Sequence, residues 1–210
     1  MINQNEDQRK EFGLGRDRYP KIYEDNCIVL DFLPHGHAGH QSKMPVGQVV
    51  GINHFTLLEV VPKKGVFLEP HERIYIGPDK REKIHHILGK INYDKLTQTA
   101  KLELESIIKD SVKKQFNKII EFFNKSGPLS TRLHQLELIP GIGKKHMWKI
   151  LGERQSKPFT DLDDLKQRVP LIPDPEKAVI KRVIEELEEK DKYKLLIGRI
   201  SILDSNDKVN

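Results

Sequence analysis

The pattern of apolar residues changes once along this 210-residue chain, near residue 92, and this change constrains the fold more than any other feature. Before it, four β-rich runs are separated by turn sequences rich in Pro, Gly and Asn. After it, apolar residues recur mostly three and four positions apart, as on the buried face of a helix. Strands followed by helices predict an α+β protein. The four predicted strands are 27–33, 46–52, 55–61 and 73–76.

Short strands with interior glycines favour a small closed or nearly closed antiparallel barrel, and we therefore predict two domains. In the helical part, 101–124 is predicted to bury one face, and Asp174 with Pro175 is predicted to open the last helix. Residues 193–203 could add a strand before a frayed end. The predicted segments are a flexible tail at 1–25, a barrel at 26–92, a helical connector at 93–128, a helical domain at 129–190 and a C-terminal segment at 191–210.

Composition excludes several classes of protein. Apolar residues are 37% and charged residues 32%, against about 45–50% and 25% in an average domain, and no run approaches the roughly 18 apolar residues of a spanning helix. The polar start of the chain is not a secretory signal. A single cysteine, Cys27, excludes an intrachain disulfide and an all-thiolate zinc site, and its place in an apolar strand predicts an inert thiol. We expect a cytoplasmic protein.

The segment 133–151 is the one whose sequence most clearly indicates a function. Leu133, Leu136 and Ile139 would give a first helix its apolar face, and a second helix would begin near Lys144. Glycines between the two helices permit unusual backbone angles and let another backbone approach. Free N–H groups at a helix start suit a phosphate oxygen, and lysines there add charge. Residues 132–157 hold six basic and two acidic residues, a net of +4, whereas 158–190 is acidic, so the predicted polyanion site is local.

The run Pro140-Gly141-Ile142-Gly143-Lys144-Lys145 resembles the helix-hairpin-helix family of nucleic-acid-binding motifs. The resemblance implies that the amides of the Gly-Ile-Gly run contact a phosphate, with Lys145 as a charged helper. Met147 stands where that family usually has a small residue. Residues 159–169 look like the degenerate partner hairpin of a four-helix unit, to which we assign packing. The predicted binding residues are Gly141, Ile142, Gly143, Lys144, Lys145, Lys149 and Arg132.

Longer blocks at 28–34, 55–62, 75–77 and 131–138 resemble the archaeal DUF655 family over roughly residues 25–195. That resemblance implies an OB-like or S1-like barrel followed by a helix-hairpin-helix domain. Genes of the family often neighbour those for a ribosomal protein, an RNA polymerase subunit and a ribosomal RNA dimethyltransferase. This context implies RNA rather than DNA, or the translation machinery, and it implies no reaction.

The predicted barrel and the histidines leave weaker hypotheses open. Basic side chains on the barrel could line a groove for nucleic acid, but interleaved acidic residues fit a solvated face equally well. Phe55, Phe67 and Tyr75 are candidates for base stacking, the two phenylalanines being equally suited to the core, and Trp148 is expected to be packed. His35, His37 and His40 match no zinc spacing, so no metal is predicted. The basic side chains are Lys63, Lys64, Arg73, Lys80, Arg81 and Lys83.

Catalytic signals are missing: the chain has no phosphate-binding loop and no nucleophile elbow. The leading hypothesis is a non-catalytic protein without a cofactor that grips the backbone phosphate of nucleic acid. An adaptor that docks on a ribosomal or transcription protein is the first alternative. A nuclease or glycosylase subunit is the second.

Overall fold

The first half of the fold is a five-stranded antiparallel sheet, curled into a half-barrel, in a computed structural model that describes residues 24–39 and 43–197. The strand order is β4-β1-β2-β3-β5. No hydrogen bonds join β4 to β5, so the described sheet is an open half-barrel, where the sequence predicted a closed or nearly closed barrel. The strands are β1 Asn26–Leu33, β2 Val46–Gly51, β3 Leu57–Pro62, β4 Arg73–Tyr75 and β5 Ile84–Lys90.

The four predicted strands are confirmed to within two residues at each end, and β5 was missed. Adjacent histidines and Gly89 interrupt the alternation of apolar and polar residues in β5, which hides it from pattern analysis. Its pairing with β3 also shifts register twice, so it is an irregular edge strand.

Both faces of the sheet are buried, because successive residues of a strand point to opposite sides. Val29 and Val49 belong to an apolar cluster confined to the sheet and its loops. Leu30 and Val50 belong to a second cluster that continues through the helices as far as Leu187. The sheet and the helical part therefore share one core.

The helical part begins after a 3-10 turn at Tyr93–Lys95. The predicted helix over 101–124 is interrupted at Gln115, whose side-chain amide donates to the carbonyl oxygen of Ile52 at 3.0 Å. Leu102 and Phe116 are exposed, although the sequence pattern placed both on the buried face. The α-helices are α1 Gln98–Lys114, α2 Phe116–Lys125, α3 Lys144–Ser156, α4 Leu162–Arg168 and α5 Pro175–Leu187.

The first helix predicted for the hairpin is not formed. Strands β6 (Pro128–Ser130) and β7 (Leu133–His134) make a two-stranded ribbon, and only a 3-10 turn, Gln135–Leu138, follows it. The Nδ1 atom of His134 accepts the Leu136 N–H at 3.1 Å, and Glu137 accepts the His134 N–H at 2.9 Å. These reciprocal bonds stabilise a short turn, while Leu136 is buried as the sequence predicted.

The last helix is confirmed: the Asp174 carboxylate accepts the N–H groups of Glu176 and Lys177, and Pro175 is the first helical residue. Residues 193–197 form no strand, and the rest of that predicted strand lies outside the described residues. The predicted tail at 1–25 falls outside them except for Glu24 and Asp25. No helix in the described residues is long and apolar enough to cross a membrane.

Candidate nucleic-acid interface

The turn before α3 is built around Gly141. Its φ of +84° lies in the left-handed region that favours glycine. A Cβ on this residue would lie 2.7 Å from Cγ of Pro173, so the absence of a side chain also lets the two turns pack together. Ile142 is buried and its N–H donates to the carbonyl oxygen of Ile139 at 3.0 Å. The predicted phosphate contact from the Ile142 amide is therefore wrong, because that amide holds the turn together.

The same turn occurs again before α5. Ile139-Pro140-Gly141-Ile142 and Val169-Pro170-Leu171-Ile172 have similar sequences. Leu171 has a φ of +63°, and the Ile172 N–H donates to the carbonyl oxygen of Val169 at 3.3 Å. The two hairpin turns share a backbone conformation and contact one another.

The two helices that follow these turns begin differently. The first amides of α5 are satisfied by Asp174, and those of α4 by Asp161. At α3 the N-cap is Gly143, which has no side chain to accept a hydrogen bond. Within the part of the chain that the structure describes, the amides of Gly143, Lys144 and Lys145 have no acceptor. A Cβ on Gly143 would meet no described atom within 4 Å, so the space beside this residue is open.

One exposed face of α3 continues from this start. Lys144 and Lys145 are exposed, and neither forms an ion pair with any described residue. Lys149 lies one turn further and pairs with Glu153 at 2.7 Å. Trp148 lies between these lysines and is 67% exposed, so the prediction that it is packed is wrong.

The helical period of α3 could have placed Trp148 correctly. The buried residues of α3 are Met147 and Ile150, three positions apart. Trp148 also lies three positions from Leu151, but Leu151 is only half-buried and does not define the buried face. Met147, the departure from the family pattern, fills the contact between α3 and the core.

Two arginines fix α3 against its neighbours. The Arg154 guanidinium donates to the carbonyl oxygens of Phe123 and Ser126, at 2.9 and 2.7 Å, and so closes the end of α2. Arg168 of α4 donates to the carbonyl oxygen of Glu153 and lies 4.5 Å over the ring of Phe159. Desolvation lowers the pKa of Arg154 below its ordinary value. The exposed face of α3 is therefore held rigidly by bonds on its opposite side.

The remaining predicted binding residues are distributed elsewhere. Arg132 lies on the exposed turn between β6 and β7, and no hydrogen bond or ion pair in the described residues joins its side chain to α3. On the half-barrel, Lys63 donates to the carbonyl oxygen of Arg81, and Lys83 pairs with Glu72. These bonds gather Lys63, Arg81 and Lys83 at one end of the sheet, and of the three only Lys83 pairs with a described acidic side chain.

The other predicted barrel residues differ in setting. Arg73 lies on the edge strand β4, with Nε 3.4 Å from the side-chain oxygen of Asn26, and Lys64 and Lys80 are exposed in loops. Phe55 is buried in the core. Phe67 is 71% exposed and makes an edge contact with Phe32, and the Tyr75 hydroxyl donates to Asp79.

The loop that holds His35 and His37 contacts the sheet in a way that the sequence did not indicate. His37 Nε2 lies 2.7 Å from Oε1 of Glu59, which also accepts a hydrogen bond from the buried Gln48. His40 lies outside the described residues. In residues 24–39 and 43–197, no three His, Cys, Asp or Glu side chains are grouped to hold a metal ion. Burial raises the pKa of the Cys27 thiol, as expected of an inert cysteine.

A curled antiparallel sheet followed by a helical unit with two packed hairpin turns defines an α+β protein. The chain belongs to the DUF655 family, described as a protein of unknown function, whose family model matches residues 23–198. It is 40% identical over 193 residues to the uncharacterized protein MJ0038 of Methanocaldococcus jannaschii, covering 91% of this chain and 87% of that protein. The crystal structure of Af1531 from Archaeoglobus fulgidus has a TM-score of 0.71 and 42% identity, covering 82% of this chain and 99% of that one.

Proposed function

We propose that this protein is a cytoplasmic, non-catalytic nucleic-acid-binding protein that grips a backbone phosphate at the start of α3. The observation that carries the proposal is the uncapped first turn of α3, where amides without an acceptor lie beside two lysines without an ion pair, among the described residues. Free N–H groups and the positive end of the helix dipole attract an anion, and the lysines strengthen that attraction. Contacts of this type bind phosphate and read no bases.

The start of α5 supports the binding of an anion at the start of α3. At α5 the Asp174 carboxylate occupies the place that a phosphate would take at α3. In our proposal, the half-barrel is an OB-like module, and residues 129–190 are a helix-hairpin-helix unit packed on it. The preference for RNA over DNA rests on the family's gene context alone.

The sharpest test fills the free cap. Gly143→Ser and Gly143→Asp place at α3 the side-chain acceptor that Asp174 supplies at α5, and such caps favour helix formation. Both variants should therefore fold at least as stably as the wild type while losing affinity for a labelled oligonucleotide. The loss should be larger for Asp, because its charge also repels phosphate. Unchanged affinity in a folded Gly143→Asp variant would refute the proposal.

A charge reversal tests the lysines against a matched control. Lys144→Glu with Lys145→Glu removes the charge beside the free amides, while Lys113→Glu with Lys114→Glu makes the same change in the exposed last turn of α1. Each lost phosphate contact should lower the slope of log K against log salt by about 1, so only the first pair should flatten the salt dependence. Equal effects of the two pairs would indicate non-specific attraction. If Lys144→Glu with Lys145→Glu still retains a partner protein, the result would favour the alternative function, an adaptor that docks on another protein.

A further inference from the structure

Trp148 is the only tryptophan of the chain, and its side chain is 67% exposed on the binding face of α3. No ring contact or cation–π contact involves it within residues 24–39 and 43–197. Trp is a residue that usually buries its apolar rings. An indole left bare on a rigid helix therefore offers a planar apolar surface to a ligand.

The surroundings of Trp148 indicate the chemistry of that ligand. Lys144 lies one helical turn before the indole and Gly152 one turn after it. A Cβ on Gly152 would meet no described atom within 4 Å, so the described part of the chain leaves the helix surface beside the indole uncovered. Positions 144–152 hold three lysines and no acidic residue. The face therefore suits a polyanion that also carries planar apolar groups.

We propose that Trp148 stacks on an unpaired base of the strand whose phosphate is bound at the start of α3, so that the protein prefers single-stranded nucleic acid. This inference rests on the proposed function. Trp148 lies five residues after Gly143, about 7.5 Å along the helix axis, a distance that one or two nucleotides of an extended strand can span. Bases in a duplex are stacked on one another, whereas those of a single strand are free to stack on an aromatic side chain.

The experiment uses the full-length chain and strands of about twelve nucleotides, a length within the usual range for a single-strand site. Three probes are compared: a mixed-sequence single strand, the same backbone with abasic residues, and the corresponding duplex, each as RNA and as DNA. Anisotropy of a labelled strand reports binding, and the emission of the lone tryptophan reports stacking. Trp148→Ala and Trp148→Phe are compared with Leu102→Ala, which removes an equally exposed apolar side chain from α1.

We expect the single strand to quench Trp148 emission with the midpoint given by anisotropy. Loss of the bases, or Trp148→Ala, should weaken the single-strand Kd about tenfold, the loss of roughly one stacked base. In Trp148→Ala the intact and abasic strands should bind equally, Trp148→Phe should restore part of the difference, and Leu102→Ala should change nothing.

The outcomes separate the inference from the proposed function. Equal binding of intact, abasic and duplex probes without quenching would refute base stacking and leave phosphate binding in place. Binding of duplex in preference to single strand would refute it in the same way. Binding of none of the probes would overturn both the proposed function and the inference.

Discussion

The two glycines of the hairpin turn have different roles, and one pair of substitutions separates them. In Gly141→Ala, the φ of +84° costs about 1–2 kcal/mol for an L-residue. The new Cβ would also lie 2.7 Å from Cγ of Pro173, and forcing these turns apart costs roughly 1–3 kcal/mol. We therefore expect Gly141→Ala to lower the free energy of unfolding by about 2–5 kcal/mol.

Gly143→Ala should be nearly neutral for stability. The φ of Gly143 is −88°, which any residue adopts, and its Cβ would meet nothing within 4 Å. Ala is a poorer N-cap than Gly, but it also lowers the entropy of the unfolded chain by a comparable amount, so the net change should stay within about 0.5 kcal/mol.

Urea unfolding followed by circular dichroism measures both values. Pro173→Ala provides a second arm: it removes the ring atom nearest Gly141, so the cost of Gly141→Ala should fall by about 1 kcal/mol in that background. If Gly141→Ala and Gly143→Ala destabilise equally, or if Pro173→Ala leaves the cost unchanged, the packing of the two turns is not what selects glycine at Gly141.

Two further predictions concern the supports of the interface. The buried Glu186 carboxylate accepts hydrogen bonds from Arg182 and from the amides of residues 195–197. Glu186→Gln should therefore lower the free energy of unfolding, measured in urea, by about 3–5 kcal/mol. A decrease below about 1 kcal/mol would contradict this expectation. Burial and the nearby Arg154 lower the pKa of His134, whose Nδ1 atom must stay unprotonated to accept its hydrogen bond. Because the unfolded chain then binds the proton more readily, stability should fall as the pH drops below about 6.5. His134→Asn keeps an N-cap acceptor and should reduce that fall, whereas identical pH profiles would refute the assignment.

The fold could be predicted where local pattern and tertiary packing agree. The strands of the half-barrel core and the start of α5 at Asp174 follow from apolar alternation and from capping chemistry. The fifth strand could not be predicted, because an irregular edge strand is defined by its pairing with β3 rather than by its own sequence. The helix is likewise interrupted at a residue whose side chain bonds a distant partner, since Gln115 donates to the carbonyl oxygen of Ile52.

In the candidate site, too, features set by the local sequence could be predicted and features set by distant contacts could not. The uncapped glycine at the start of α3 was predicted from the sequence, because its cause is local. The helix expected before it was wrong, since the residues of that segment are satisfied by a ribbon and a 3-10 turn while keeping Leu136 and Ile139 buried. The contact of Gly141 with Pro173 joins two segments 32 residues apart in the sequence and is visible only in the structure.

The distribution of weak positions along α3 argues that its exposed face is kept for binding. Thr97, Asp161 and Asp174 cap α1, α4 and α5 with their side chains, whereas α2 and α3 start without a side-chain cap, and α3 also carries Gly152 in its interior. An interior helix glycine costs about 1 kcal/mol relative to alanine, and no described atom packed beside Gly152 requires it. Both glycines and Trp148 lie on the exposed side of α3, while Arg154 anchors the helix from behind. Departures from the usual capping and helix propensities that cluster on one exposed face, while the opposite face anchors the helix, are typical of a functional surface.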